Sequence, residues 1–61
     1  MTEYLADLNY LIDHNMRCTG IDPKHARPPD VELARRRVVE ACKIAGITVE
    51  KFAEAVRLST S

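Results

Sequence analysis

The sequence predicts an all-α protein, a small helical bundle of two longer antiparallel helices and a short C-terminal helix. Three segments carry apolar residues at spacings of three and four, the period of a helix with one buried face. The three prolines lie between the first two segments and interrupt the helical pattern there. The chain has only two glycines and no tryptophan, which argues against a sheet with many tight turns. A length of 61 residues allows one domain, over residues 1–61.

The first helix is predicted over about residues 2–16. Its large apolar residues fall in one arc of the helix and form the predicted core stripe: Tyr4, Leu5, Leu8, Leu11, Ile12 and Met16. Asn15 lies inside this stripe, where it either helps the chain leave the helix or becomes a buried polar group that needs a partner. Tyr10 lies on the opposite side, and we expect it to be exposed.

A Pro-rich loop is predicted over residues 17–29, with Ile21 holding it to the core. The second helix follows over about 30–45 and ends at Gly46 in a left-handed conformation. The residues predicted to face its core side are Val31, Ala34, Val38, Ala41, Cys42 and Ala45. Leu33 and Ile44, with Ala41 beside them, form a second apolar strip about 120° away, which requires a cover of its own.

The third helix is predicted over about 48–58. Thr48 is its expected N-cap, because a threonine hydroxyl can accept a hydrogen bond from a backbone N–H of the first turn. The predicted buried face consists of Val49, Phe52, Ala53 and Val56.

The composition excludes several classes of function. Nine basic and nine acidic residues give a formal net charge of zero, which argues against a polycationic coat for nucleic acid. The first residues lack a basic region before an apolar run, and no stretch approaches the roughly 18 apolar residues of a membrane span. Two cysteines, Cys18 and Cys42, are too few for a secreted disulfide scaffold. We therefore expect a cytoplasmic protein with free thiols and no membrane association.

No pattern in the sequence indicates catalysis, a cofactor or a metal site. There is no glycine-rich phosphate loop and no zinc-type spacing among His14, Cys18, His25 and Cys42. His14 and Cys18 are four residues apart and could chelate a metal ion only if the first helix continued that far. We expect the protein not to be an enzyme and to bind no metal or cofactor.

The second half of the chain resembles a known DNA-binding unit. Residues 33–61 run through Ala45-Gly46-Ile47-Thr48, a short helix and Leu58-Ser59, similar to the first two helices of phage-repressor and Cro-type helix-turn-helix domains. The resemblance implies that Ala53 takes the family's buried alanine position and that Leu58-Ser59 form its turn. It implies a DNA-binding regulator with a truncated helix-turn-helix, since the recognition helix would follow the turn.

Basic and apolar residues suggest where a partner binds. Arg35-Arg36-Arg37 is a run of cations that either forms a binding patch or neutralises nearby acidic residues on a solvated helix face. The candidate partner-binding residues are Tyr10, Arg17, Lys24, Arg27, Leu33, Arg36, Arg37 and Ile44.

These observations predict a small non-enzymatic regulatory or inhibitor-type protein that acts by binding another macromolecule. Compact chains of this size are typical of phage or plasmid inhibitors and adaptors. We expect a protein partner, with nucleic acid as the alternative. We expect a homodimer, or an obligate complex with a partner, because one core of this size supplies little net stability. Two copies paired across the second helix would cover the strip at Leu33 and Ile44.

Overall fold

The computed structural model describes the backbone of residues 2–60 and the side chains of residues 5–59. Three helices make up the fold: α1 (Thr2–Cys18), α2 (Pro28–Ala45) and α3 (Val49–Thr60). No strand occurs between residues 2 and 60, so the all-α prediction is confirmed. Both α2 and α3 pack mainly on α1 and contact each other much less, which makes α1 the central helix of the bundle.

Helix α1 ends two residues later than predicted because a glycine terminates it. Gly20 has a φ of 85°, a left-handed conformation that L side chains adopt at a cost. Its N–H donates to the Arg17 carbonyl at 3.1 Å, and the Ile21 N–H donates to the Met16 carbonyl at 2.8 Å. These two bonds form a Schellman motif, which satisfies the last carbonyls of the helix and carries it through Cys18.

The same motif ends α2, as the sequence predicted at this position. Gly46 has a φ of 68°, and the Ile47 N–H donates to the Cys42 carbonyl at 3.1 Å. Helix α2 begins at Pro28, two residues earlier than predicted. A proline is tolerated at this position because the N–H that it lacks would have no hydrogen-bond partner in the first turn of a helix. Thr48 caps α3 as expected, since the Lys51 N–H donates to its Oγ1 at 3.2 Å.

One apolar core is shared by the three helices. The buried residues are Leu8, Leu11, Ile12, Met16, Ala34, Val38, Cys42, Val49 and Ala53. Phe52 and Val56 are half-buried against this core, and Ile21 holds the loop to it as predicted. The core therefore uses most of the residues that helical periodicity selected.

Three residues assigned to the core by periodicity are exposed instead. Leu5 is 58% exposed and Val31 is 39% exposed, and Ala45 also lies at the surface. All three lie in the first or last turn of the described helix, where the neighbouring helix does not cover them. Periodicity identifies the side of a helix that faces the core. It does not show how far along the helix axis the neighbouring helices cover that side. The Tyr4 side chain, also assigned to this stripe, lies outside the described residues.

Asn15 is the polar residue within the α1 stripe. Its Oδ1 is buried without a hydrogen-bond partner among the described residues. The second of the two predicted alternatives, a buried polar group in need of a partner, is therefore the one observed. An unsatisfied buried carbonyl costs about 1–3 kcal/mol of stability.

Candidate protein-binding surface

The outward side of α2 carries the longest row of predicted partner-binding residues. Leu33, Arg37 and Ile44 lie with Glu40 at spacings of four, three and four, which places them within an arc of about 60°. We call these four residues the α2 line. Leu33 is 46% exposed and Ile44 is 82% exposed, so the described residues leave most of Ile44 and about half of Leu33 uncovered.

The composition of the line differs from the predicted apolar strip. Arg37 and Glu40 separate the two aliphatic residues, and both charged side chains are exposed. Ala41, which was predicted to lie beside the strip, is half-buried. The surface is therefore a mixed row with an aliphatic residue at each end and opposite charges between them.

The three consecutive arginines lie on two different surfaces. Arg37 belongs to the α2 line, whereas Arg35 and Arg36 lie on a neighbouring surface that contains a salt bridge. The Nη2 of Arg36 lies 3.9 Å from the Oε1 of Glu32, an exposed pair at i, i+4 spacing. Arg35 and Arg36 line a shallow depression together with Glu32, Val39, Glu40 and Lys43. Positive and negative side chains alternate there, so Arg36 takes part in the solvated, neutralised face that was the second of the two predictions. Such an exposed pair contributes at most about 1 kcal/mol.

The loop between α1 and α2 brings two further predicted residues together. Arg17 and Lys24 line one surface depression with Gly20, Ile21, Asp22 and Pro23. Arg27 lies apart from this depression, at the start of α2, where its Nε is 3.8 Å from the Oδ2 of Asp30. The Arg27 backbone N–H also donates to that carboxylate at 3.3 Å. Asp30 therefore stabilises the first turn of α2 and partly neutralises Arg27.

Tyr10 does not form the exposed anchor that the sequence predicted. It is half-buried and packs against the core. The guanidinium carbon of Arg57 lies 4.6 Å from the centre of its ring, a cation–π contact. Because α3 reaches over this side of α1, the outward side that was assigned to Tyr10 is an internal contact between two helices.

Arg57 also forms a short ion pair that sequence reasoning missed. Its Nη2 donates to the Oδ1 of Asp7 at 2.7 Å, and Asp7 is largely shielded from solvent. The pair joins residues 50 positions apart, and no local spacing rule applies at that distance. The available signal was the i, i+3 spacing of Asp7 and Tyr10, which allows one arginine to reach both.

The two cysteines have different environments. Cys18 is exposed at the end of α1, and its Sγ lies 3.4 Å from the Nε2 of His14. Helix α1 continues to Cys18, which is the condition that the sequence set for His14 and Cys18 to bind one metal ion. The described part of the chain contains no group of three His, Cys, Asp or Glu side chains that could hold such an ion. Cys42 is buried in the core, and this burial raises the pKa of its thiol.

Comparison of the chain with protein-family models, with curated proteins and with solved structures gives no match. Over the described residues, none of the three helices is both long and apolar enough to cross a membrane.

The turn that the helix-turn-helix resemblance implies at Leu58-Ser59 is not observed, because α3 remains helical through Thr60. The resemblance itself stays a prediction.

Proposed function

We propose that this protein is a small non-enzymatic regulator of the inhibitor type, which acts by binding another protein through the α2 line. The observation that carries the proposal is the exposure of Ile44 and Leu33 on a helix whose opposite side is buried in the core. Single exposed apolar residues are ordinary on protein surfaces. Two aliphatic residues aligned along one outward side of a helix form a surface that a partner helix or groove can cover.

The energetic reason is the apolar area that remains in water. Full burial of an isoleucine or leucine side chain stabilises by about 1.5–3 kcal/mol relative to exposure. Ile44 retains most of that potential and Leu33 about half of it. Arg37 and Glu40 lie between these two residues and determine the orientation of a bound partner, because the partner must present opposite charges at matching positions.

The remaining predicted residues fit a secondary role in this proposal. Arg17 at the end of α1 and Lys24 on the loop line a separate depression beside Asp22, and a partner with an acidic edge would contact the two cations. Neither Cys18 nor Cys42 takes part in a disulfide. Free thiols are usual in reducing compartments, which supports a cytoplasmic location for the proposed activity.

Affinity capture tests the proposal with two matched variants. Ile44→Asp places a charge on the α2 line at a residue that makes no core contact, whereas Leu5→Asp makes the same change at an exposed leucine on α1. We expect the wild type and Leu5→Asp to retain the same specific protein and Ile44→Asp to lose it. Equal retention by all three chains would exclude the α2 line as the binding surface.

A DNA-binding regulator with a truncated helix-turn-helix is the second candidate. It is supported by the corner between α2 and α3, where Gly46 is left-handed, Thr48 caps α3 and Ala53 is completely buried. Titration of duplex DNA at two salt concentrations tests it. A protein that contacts phosphates must bind more weakly as salt increases, and absence of binding at low salt would exclude this candidate.

A further inference from the structure

We infer that a second copy of this chain occupies the α2 line, in an antiparallel two-fold pair that places Leu33 against Ile44 of the partner subunit and Arg37 against Glu40 of the partner subunit. The inference rests on the proposed function in that it takes the α2 line as a protein-binding surface, where a second copy of the chain and the target protein would compete. It adds a register and an orientation, and both can be tested residue by residue.

The register follows from the spacing of the four residues. The point midway between Leu33 and Ile44 in the sequence is also midway between Arg37 and Glu40. A two-fold axis through that point, perpendicular to α2, exchanges the ends of the helix. Each aliphatic residue then meets the aliphatic residue from the other end, and each arginine meets a glutamate.

The charges select this arrangement over the parallel one. In a parallel pair in register, Arg37 would face a second Arg37 and Glu40 a second Glu40, and both contacts would be repulsive. In the antiparallel pair both contacts become attractive. The two-fold symmetry therefore makes the α2 line complementary to itself in one orientation only.

The two charged residues are also available for such contacts. No ion pair joins Arg37 or Glu40 to another residue in the described part of the chain. Two other acidic residues of α2 differ in this respect, because Glu32 is paired with Arg36 and Asp30 with Arg27. Arg37 and Glu40, the two charges between the aliphatic ends of the line, therefore remain available to a partner.

The size of the contact indicates a reversible dimer. Helix α2 has 18 residues and is about 27 Å long, so one helix pair buries an area at the low end of specific interfaces. Association still adds to the stability of a domain of this size, because a single core of about 60 residues supplies only a few kcal/mol.

Sedimentation equilibrium of five chains tests the charges. We expect the wild type to form a dimer, Arg37→Glu and Glu40→Arg each to weaken it by about tenfold or more, and the double swap Arg37→Glu/Glu40→Arg to restore it. Arg36→Glu is the matched control beside the line and should change the dissociation constant little. A wild type that stays monomeric at high micromolar concentration, or a double swap as weak as the single variants, would overturn the inference.

Cross-linking tests the register independently of affinity. In a Cys18→Ser background, the variant Leu33→Cys/Ile44→Cys should form a covalent dimer on mild oxidation, because the two positions face each other across the axis. Leu33→Cys alone should not, since equivalent positions would lie about 16 Å apart along the helices. Rapid cross-linking of the single variant would refute the antiparallel register. A monomeric wild type that still captures a protein lost in Ile44→Asp would overturn the second copy as occupant and leave the proposed function intact.

Discussion

Truncation of Leu11 to alanine is the most direct test of the core. Leu11 is 1% exposed and lies at the centre of the buried side of α1. The substitution removes three carbon atoms, and at about 0.8 kcal/mol for each buried methylene the lost transfer free energy is about 2.4 kcal/mol. The cavity left behind raises the cost to as much as about 5 kcal/mol. A domain of this size has about 3–5 kcal/mol in total, so we expect Leu11→Ala to be largely unfolded.

Leu5→Ala is the matched control, because the sequence places both leucines in the same stripe and the structure separates them. Leu5 is 58% exposed, so its truncation should cost about 1 kcal/mol or less. Thermal and urea denaturation, followed by far-ultraviolet circular dichroism, measure both effects. Equal losses of stability in the two variants would show that Leu5 is covered by the core as fully as Leu11, which would contradict the structure.

Three further substitutions test single features of the structure by the same denaturation measurements. Asn15→Leu removes the unpartnered buried Oδ1 and should stabilise by about 1 kcal/mol; a loss of stability would indicate that the amide has a partner. Gly46→Ala should cost about 1 kcal/mol from its positive φ alone, since no heavy atom lies within 4 Å of an added Cβ, and no loss would contradict the left-handed cap. Burial raises the Cys42 thiol pKa, so above the ordinary thiol pKa the unfolded chain releases a proton that the folded chain retains. Wild-type stability should decline there until the folded thiol also ionises, and Cys42→Ala should show a smaller decline.

The candidate site was predicted from the sequence in part. Helical spacing was sufficient to place Leu33 and Ile44 on a side of α2 away from its core face, because both lie on one regular helix. It was not sufficient for Tyr10, since the residue that covers it comes from α3. For Arg36 the run of three arginines left two alternatives open, a binding patch or a neutralised face, and the structure pairs Arg36 with the acidic residue four positions earlier.

The sequence by itself determined the three helices, the end of α2 at Gly46, the cap of α3 at Thr48 and most of the core, and it placed the end of α1 and the start of α2 to within two residues. These features depend on residues within about four positions of each other, where backbone hydrogen bonds and helical periodicity apply. Only the tertiary structure decided which part of each apolar side is covered, as Leu5 and Leu11 show. It alone also decided that Arg57 joins Asp7 and Tyr10. Burial and long-range pairing depend on how the helices cross, and no spacing within one helix specifies that geometry.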